Sequence, residues 1–156
     1  MNHRKITETA WYPEEKLIIT YLSGEIDFID IKRWEASLKT AFEQIEDNSI
    51  FKILVNLHGF KATDIEAHKH YRSIIPLMLA DYGWKIGYVD LFDEAENMVF
   101  KNTRGIRCVG AAHVHQDKTK IEKYETNFGR KNERFFTDPV EANEWIRALK
   151  TVEAGI

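Results

Sequence analysis

The chain closes on a strand that turns directly into a helix: Glu133-Arg134-Phe135-Phe136-Thr137-Asp138-Pro139-Val140-Glu141-Ala142-Asn143-Glu144-Trp145-Ile146. Asp138 suits the N-cap, Pro139 suits the first helical position, and Glu141 completes a capping-box pattern. Ala142, Trp145, Ile146 and Leu149 follow at i, i+3, i+4 and i+7, one apolar stripe. This unit ends a longer alternation of strands and helices, which restricts the chain to an α/β architecture.

The alternation can be read from the start. Ile6 to Tyr12 and Leu17 to Leu22 are strands joined by the turn Pro13-Glu14-Glu15-Lys16, short enough to require an antiparallel hairpin. Ser23-Gly24-Glu25 ends the second strand. Asp27 caps a helix carrying Ile31, Trp34, Leu38, Phe42 and Ile45 on one face. Phe51 to Leu57 has little polar alternation, as a central strand covered on both sides requires. Thr63 and Glu66 form a capping box for a helix bearing Tyr71, Ile74, Ile75, Met78 and Leu79, which Pro76 should kink or break near Ile75. Trp84 to Phe92 is read as a further strand, and Asp93 to Glu96 as a helix start. Ile106 to Val114 is a buried strand, and Asp117 opens a helix with Ile121, Tyr124 and Phe128 that stops at Gly129. The expected order is ββαβαβαβαβα, a mixed, mostly parallel sheet with packed helices.

At 156 residues the chain suits one domain, residues 1–150, with 151–156 as a tail. Its net charge of −3 gives no reason to expect nucleic acid. The single cysteine, Cys108, excludes an internal disulfide and suits a reducing compartment. Residues Met1 to Lys5 are polar with no apolar run behind them, and no stretch approaches the ~20 apolar residues of a membrane span. A cytoplasmic location is expected.

The opening hairpin ending in Leu22-Ser23-Gly24-Glu25-Ile26-Asp27, the strand Lys52-Ile53-Leu54-Val55-Asn56-Leu57, and the ending Arg134-Phe135-Phe136-Thr137-Asp138 with Glu141-Ala142 and Trp145-Ile146 resemble the STAS superfamily, the anti-sigma-factor-antagonist fold, in its SpoIIAA-like branch. The resemblance spans nearly the whole chain. Residues 83–105 are extra length over a minimal domain of that type. It implies a non-catalytic regulatory or protein-interaction module. Phosphoswitch members carry Asp-Ser at the start of the helix after the central strand, where a phosphate would add charge and break partner binding. Here Asp64 and Ile65 fall on those positions, so the switch is expected to be absent. Relatives of this fold resemble lipid- or small-ligand-binding domains, which keeps ligand binding open.

Parallel sheets gather ligands at the carboxyl ends of their strands. The binding surface is therefore expected in His58, Gly59, Phe60, Lys61, Thr63 and Asp64, with Phe60 as its apolar anchor. From Lys101 to Arg134 the local charge is about +5, so an anion or acidic partner is a second candidate there, with Arg104 near a helix N-terminus. A small-molecule alternative places Met78, Tyr82, Trp84 and Phe100 around a pocket opened by Pro76. No cofactor is implied. His113 and His115, two apart at a strand end, would suit a metal only if Asp64 or His68 supplied a third ligand. Cys108 reads as a small buried hydrophobe. The paired carboxylates Asp27/Asp30, Asp93/Glu94/Glu96 and Asp138/Glu141 fall at helix starts, where capping explains them. The chain has no G-x-G-x-x-G, Walker A, G-x-S-x-G or C-x-x-C pattern. The expected partner is another protein or a small apolar or anionic ligand, with a homodimer through the opening hairpin as a further option.

Overall fold

The computed structural model describes residues 4–150, so the tail assigned to 151–156 lies outside the described residues. Strands β1 (Ile6–Tyr12) and β2 (Leu17–Ile26) form the antiparallel hairpin. Then come α1 (Phe28–Glu43), β3 (Ile50–Asn56), β4 (Phe60–Ala62), α2 (Ile65–Ala80), β5 (Arg107–Val114), α3 (Lys118–Phe128), β6 (Glu133–Phe136) and α4 (Pro139–Ala148). The sheet runs β1-β2-β3-β5-β6, parallel from β2 onward, with β4 paired to the end of β2. Together these elements make one α/β domain whose free sheet edges are β1 and β6.

Alternation along each strand divides the core between two faces. Ile18 and Leu22 of β2 and Phe51, Ile53 and Val55 of β3 face α1 and α2, while Leu17, Ile19 and Leu54 face Ala142 and Ile146 of α4. Trp34 of α1 is fully buried and donates its indole N–H to Thr20 Oγ1 at 2.7 Å; Thr20, Thr9 and Ser37 continue the chain at 2.8 Å each. No polar atom of that network is left unmet, so it orients α1 without a desolvation penalty. On the other face Lys52 is buried, and its ammonium donates to the carbonyls of Ile146 (2.6 Å), Arg147 (3.3 Å) and Leu149 (3.1 Å). These are orphan acceptors at the C-terminus of α4, where the helix dipole favours a cation.

Several expectations need correction. β2 does not stop at Ser23; it continues to Ile26 because β4 pairs with Gly24, Glu25 and Ile26. Asp64, not Thr63, is the N-cap of α2, its carboxylate accepting from Ala67 N at 2.8 Å. The Thr63 N–H bonds Ile26 O, which keeps that residue in the extended pairing. α2 runs through Pro76 without a break, held by Ile74, Ile75 and Leu79 in the core. Asp138 caps α4 through Val140 N, and no bond returns from Glu141 among the described residues.

The largest correction concerns Trp84 to Phe92, which is not a strand. β5 occupies the place beside β3 that such a strand would need. Residues 84–105 instead form an irregular arm with short 3-10 turns at Val89–Leu91, Asp93–Asn97 and Thr103–Gly105. Trp84, Ile86 and Val89 are buried because the arm covers the core, and the helix expected after Asp93 is only one of these turns.

Lys52→Met keeps the aliphatic stem and leaves the α4 carbonyls without their donor. It should cost about 1–3 kcal/mol in urea unfolding. An unchanged midpoint would show that the ammonium does not hold the helix end.

Candidate functional site

At the carboxyl end of the sheet, α2, α3 and the arm meet over the ends of β3, β5 and β6 and leave a cavity of about 110 Å³. Leu57, Val114, His115, His113 and Phe135 come from the strands or their ends, His68, Tyr71 and Arg72 from α2, Tyr88 and Phe92 from the arm, and Lys120, Ile121 and Tyr124 from α3. Local periodicity sets these positions. His113 of β5 and His115 just past its end are two apart and both line the cavity; His68 with Tyr71 and Arg72, and Lys120 with Tyr124, stand one turn apart.

The walls are aromatic. Tyr88 lies 5.5 Å from Tyr124, 5.7 Å from His113, 5.7 Å from Phe92 and 6.2 Å from Phe135, centroid to centroid. His113 stacks on Phe135 at 4.7 Å. Tyr71 packs at 4.4 Å on Phe60. The hydroxyls of Tyr71, Tyr88 and Tyr124 make no hydrogen bond to any described residue. Burial raises all three phenols above their ordinary value of 10.0, and for Tyr71 and Tyr88 the neighbouring phenols add to the shift, so all three stay protonated donors.

The charged lining side chains are cationic: Arg72 and Lys120, with the histidines beside them. Burial lowers His68, and Lys120 and Arg72 lower it further. Burial also lowers His115, with Lys120 adding to the shift and Asp117 opposing it. Burial lowers Lys120, against the opposing pull of Asp117.

Behind His113 stands Glu133, fully buried. Its Oε2 lies 2.7 Å from His113 Nε2, and its Oε1 accepts from Gly87 N at 3.0 Å and from Arg130 Nε at 3.1 Å. Gly87 is needed at this spot. A Cβ there would come within 3.0 Å of Phe128 and 3.2 Å of Glu133 Oε1.

The residues expected to bind divide differently. His58, Gly59, Lys61, Thr63 and Asp64 do sit together and exposed around β4. Phe60 does not join them as an anchor: it is 5% exposed, because β4 pairing turns its ring into the core against Tyr71. Gln116 clips this loop, accepting from Gly59 N at 2.9 Å and donating to Phe60 O at 3.0 Å. Arg104 lies at the opposite end of the sheet, at the C-terminus of α1 rather than a helix N-terminus. It bonds Asp47 Oδ1 (2.6 Å), Phe42 O (3.2 Å) and Ile45 O, and so neutralises a negative helix end instead of offering a free charge. Other cations of the basic stretch are paired too: Arg130 with Glu133 and Arg134 with Glu125.

The alternative pocket is not assembled. Met78 and Tyr82 border an open groove of about 730 Å³ between α1 and α2, but Trp84 is buried elsewhere and Phe100 is not among its walls. His113 and His115 share the cavity with His68, yet among the described residues no three His, Cys, Asp or Glu side chains are placed to hold a metal. His115 Nδ1 accepts from Asp117 N at 3.0 Å. Cys108 is buried and its thiol is pushed far up by that burial, as a core residue's would be. Sequence reasoning missed Tyr88, Glu133 and Lys120. The available signal was His113 itself, a polar side chain inside the apolar run Ile106 to Val114, which requires a buried partner.

Compared with known proteins, the chain matches no family model, no curated protein and no solved structure.

Unfolded tyrosine ionises near 10, so between that value and the raised folded pKa the native state holds more protons. The stability these phenols contribute is whole below pH 10 and is lost above it. Phenolate absorbance near 295 nm from Tyr71 and Tyr88 should therefore appear only together with loss of far-ultraviolet dichroism. Their ionisation at pH 10 in a fully native chain would overturn the burial argument.

Proposed function

We propose that this domain binds a compact organic anion with a flat apolar body in the cavity between α2, α3 and the arm. The observation that carries this reading is the convergence of three phenols, Tyr71, Tyr88 and Tyr124, on one cavity with no hydrogen-bond partner among the described residues. Phenol donors that converge on one aromatic-walled cavity and are not used by the described residues suit a guest that brings acceptors. Lys120 at the cavity wall favours negative charge on that guest. An apolar cavity of about 150 Å³ takes a benzene-sized molecule, so a space of about 110 Å³ that opens to solvent suits a small ring acid or a short 2-oxo acid.

Benzoate is the simplest probe. It should raise the melting temperature of the wild-type domain in a concentration-dependent way. Tyr124→Phe should weaken its binding about tenfold, the scale of one hydrogen bond to a charged group. Lys120→Met should weaken it further as salt is lowered. No stabilisation by benzoate or 2-oxobutanoate at millimolar concentration would sink the proposal.

The lowered histidines add a pH dependence. A bound anion favours protonated His68 and His115, whose burial holds them below the ordinary histidine range, so binding takes up protons and affinity rises as pH falls below that range. Titration calorimetry in buffers of different ionisation enthalpy measures that uptake directly. Zero uptake at pH 6 would place the anion away from both rings.

A second reading, the protein-interaction module that the resemblance implies, is favoured by Ile65. This residue is 73% exposed at the start of α2, beside the exposed Lys61, Thr63 and Asp64. Ile65→Lys should then abolish capture of a partner without changing benzoate binding; unchanged capture removes that surface from the account.

A further inference from the structure

Resting on the cavity reading above, we infer that His113 is a general base and that the domain catalyses proton transfer at the carbon beside the carbonyl of a bound 2-oxo acid. His113 is 94% buried, since only 6% of its surface is exposed. Glu133 Oε1 is already taken by Gly87 N–H and Arg130, so its Oε2 is the acceptor toward His113. Nε2 then carries the proton, and Nδ1 keeps its lone pair. Nδ1 has no hydrogen bond to any described residue, and His113 lines the cavity. The stacking of Phe135 and the edge of Tyr88 fix the ring plane.

Anchoring of the arm accounts for the Gly87 and Arg130 contacts of Glu133, but not for an imidazole on its other oxygen whose ring lines a cavity. Burying a carboxylate costs several kcal/mol before its partners repay it, and apolar side chains of similar size would fill the same space. Nδ1 is not used by any described residue and belongs to a ring that lines the cavity. A base held by a carboxylate on one side and open to a ligand cavity on the other is the arrangement that proton abstraction needs.

The step balances without a co-reactant. Nδ1 takes a proton from C3 of the 2-oxo acid. The C–H electron pair becomes the C2–C3 double bond, and the carbonyl π pair moves to oxygen as an enolate. A phenol of Tyr88 or Tyr124 donates a hydrogen bond to that oxygen, where a positioned donor stabilises the developing charge. The imidazolium faces Glu133 until it returns a proton to C3, and the oxo acid is regenerated. In deuterium oxide the returned atom is deuterium once Nδ1 has exchanged with solvent.

The experiment follows loss of the C3 proton signal of 2-oxobutanoate by NMR in deuterium oxide, beside calorimetric binding of benzoate, which has no such proton. The wild-type domain should speed exchange by about a hundredfold or more over buffer, and benzoate should inhibit it. His113→Gln, checked for native dichroism, should bind benzoate within threefold of wild type and lose the acceleration. Glu133 is a positioning residue, so Glu133→Gln, which keeps an oxygen acceptor for Gly87 N–H, should lower kcat for exchange by a larger factor than it changes KM or benzoate binding. Binding of benzoate with exchange no faster than buffer, or exchange undiminished in a folded His113→Gln, would overturn the base and leave the cavity reading standing. Absence of binding by both acids would overturn the two together.

Discussion

The Glu133 carboxylate is the interaction on which the functional end of this molecule depends. It sits at zero exposure on the shortest edge strand of the main sheet and accepts from three directions: Gly87 in the arm, Arg130 before β6, and His113 in β5. Those contacts tie an irregular arm to the sheet and lock an imidazole in one orientation. A lone carboxylate in such a place would be costly, so removing any one partner should disturb the others. The arm has no ladder of its own to hold it, and Arg130 reinforces the joint by lying 4.6 Å over Trp84 and donating to Lys85 O.

The two ends of the sheet do different work. At the amino ends of the strands, charge is used for closure: Arg104 neutralises the end of α1, and Lys52, farther in, meets the end of α4. Both satisfy carbonyls that a helix leaves open. At the carboxyl ends, instead, three phenols have no hydrogen-bond partner among the described residues. The phenols of Tyr71, Tyr88 and Tyr124 surround a cavity that opens to solvent, with Lys120 and Arg72 at its walls. Burial holds the phenols in their protonated form and lowers His68 and His115, so the cavity presents phenol donors, Lys120 and the His113 ring to whatever enters.

Much of the scaffold was legible from residue order. Asp27 and Asp30 form the reciprocal cap that their spacing implies, at 2.8 and 3.1 Å, and the stripe Ile31, Trp34, Leu38 and Phe42 faces the core as its period requires. The opening hairpin and the closing strand-helix unit stand where Pro13 to Lys16 and Asp138-Pro139 place them. Trp84 to Phe92 misled because its residues are as apolar as a strand, and apolar content reports burial without reporting pairing. Phe60 misled for a related reason. Its loop was read as open, but three residues of β4 pairing turn the ring inward.

The sequence by itself determined the periodic elements, their caps and the α/β class, because these arise from contacts within a few residues along the chain. Only the tertiary structure decided the cavity. His113 and Glu133 are twenty residues apart, and Tyr71, Tyr88 and Tyr124 lie on three separate segments. Their meeting depends on the register of β5 with β6, which sets His113 opposite Phe135, and on an arm whose course no local pattern announces. Register and burial are properties of the assembled sheet, so the chemistry they create is absent from any single stretch of the chain.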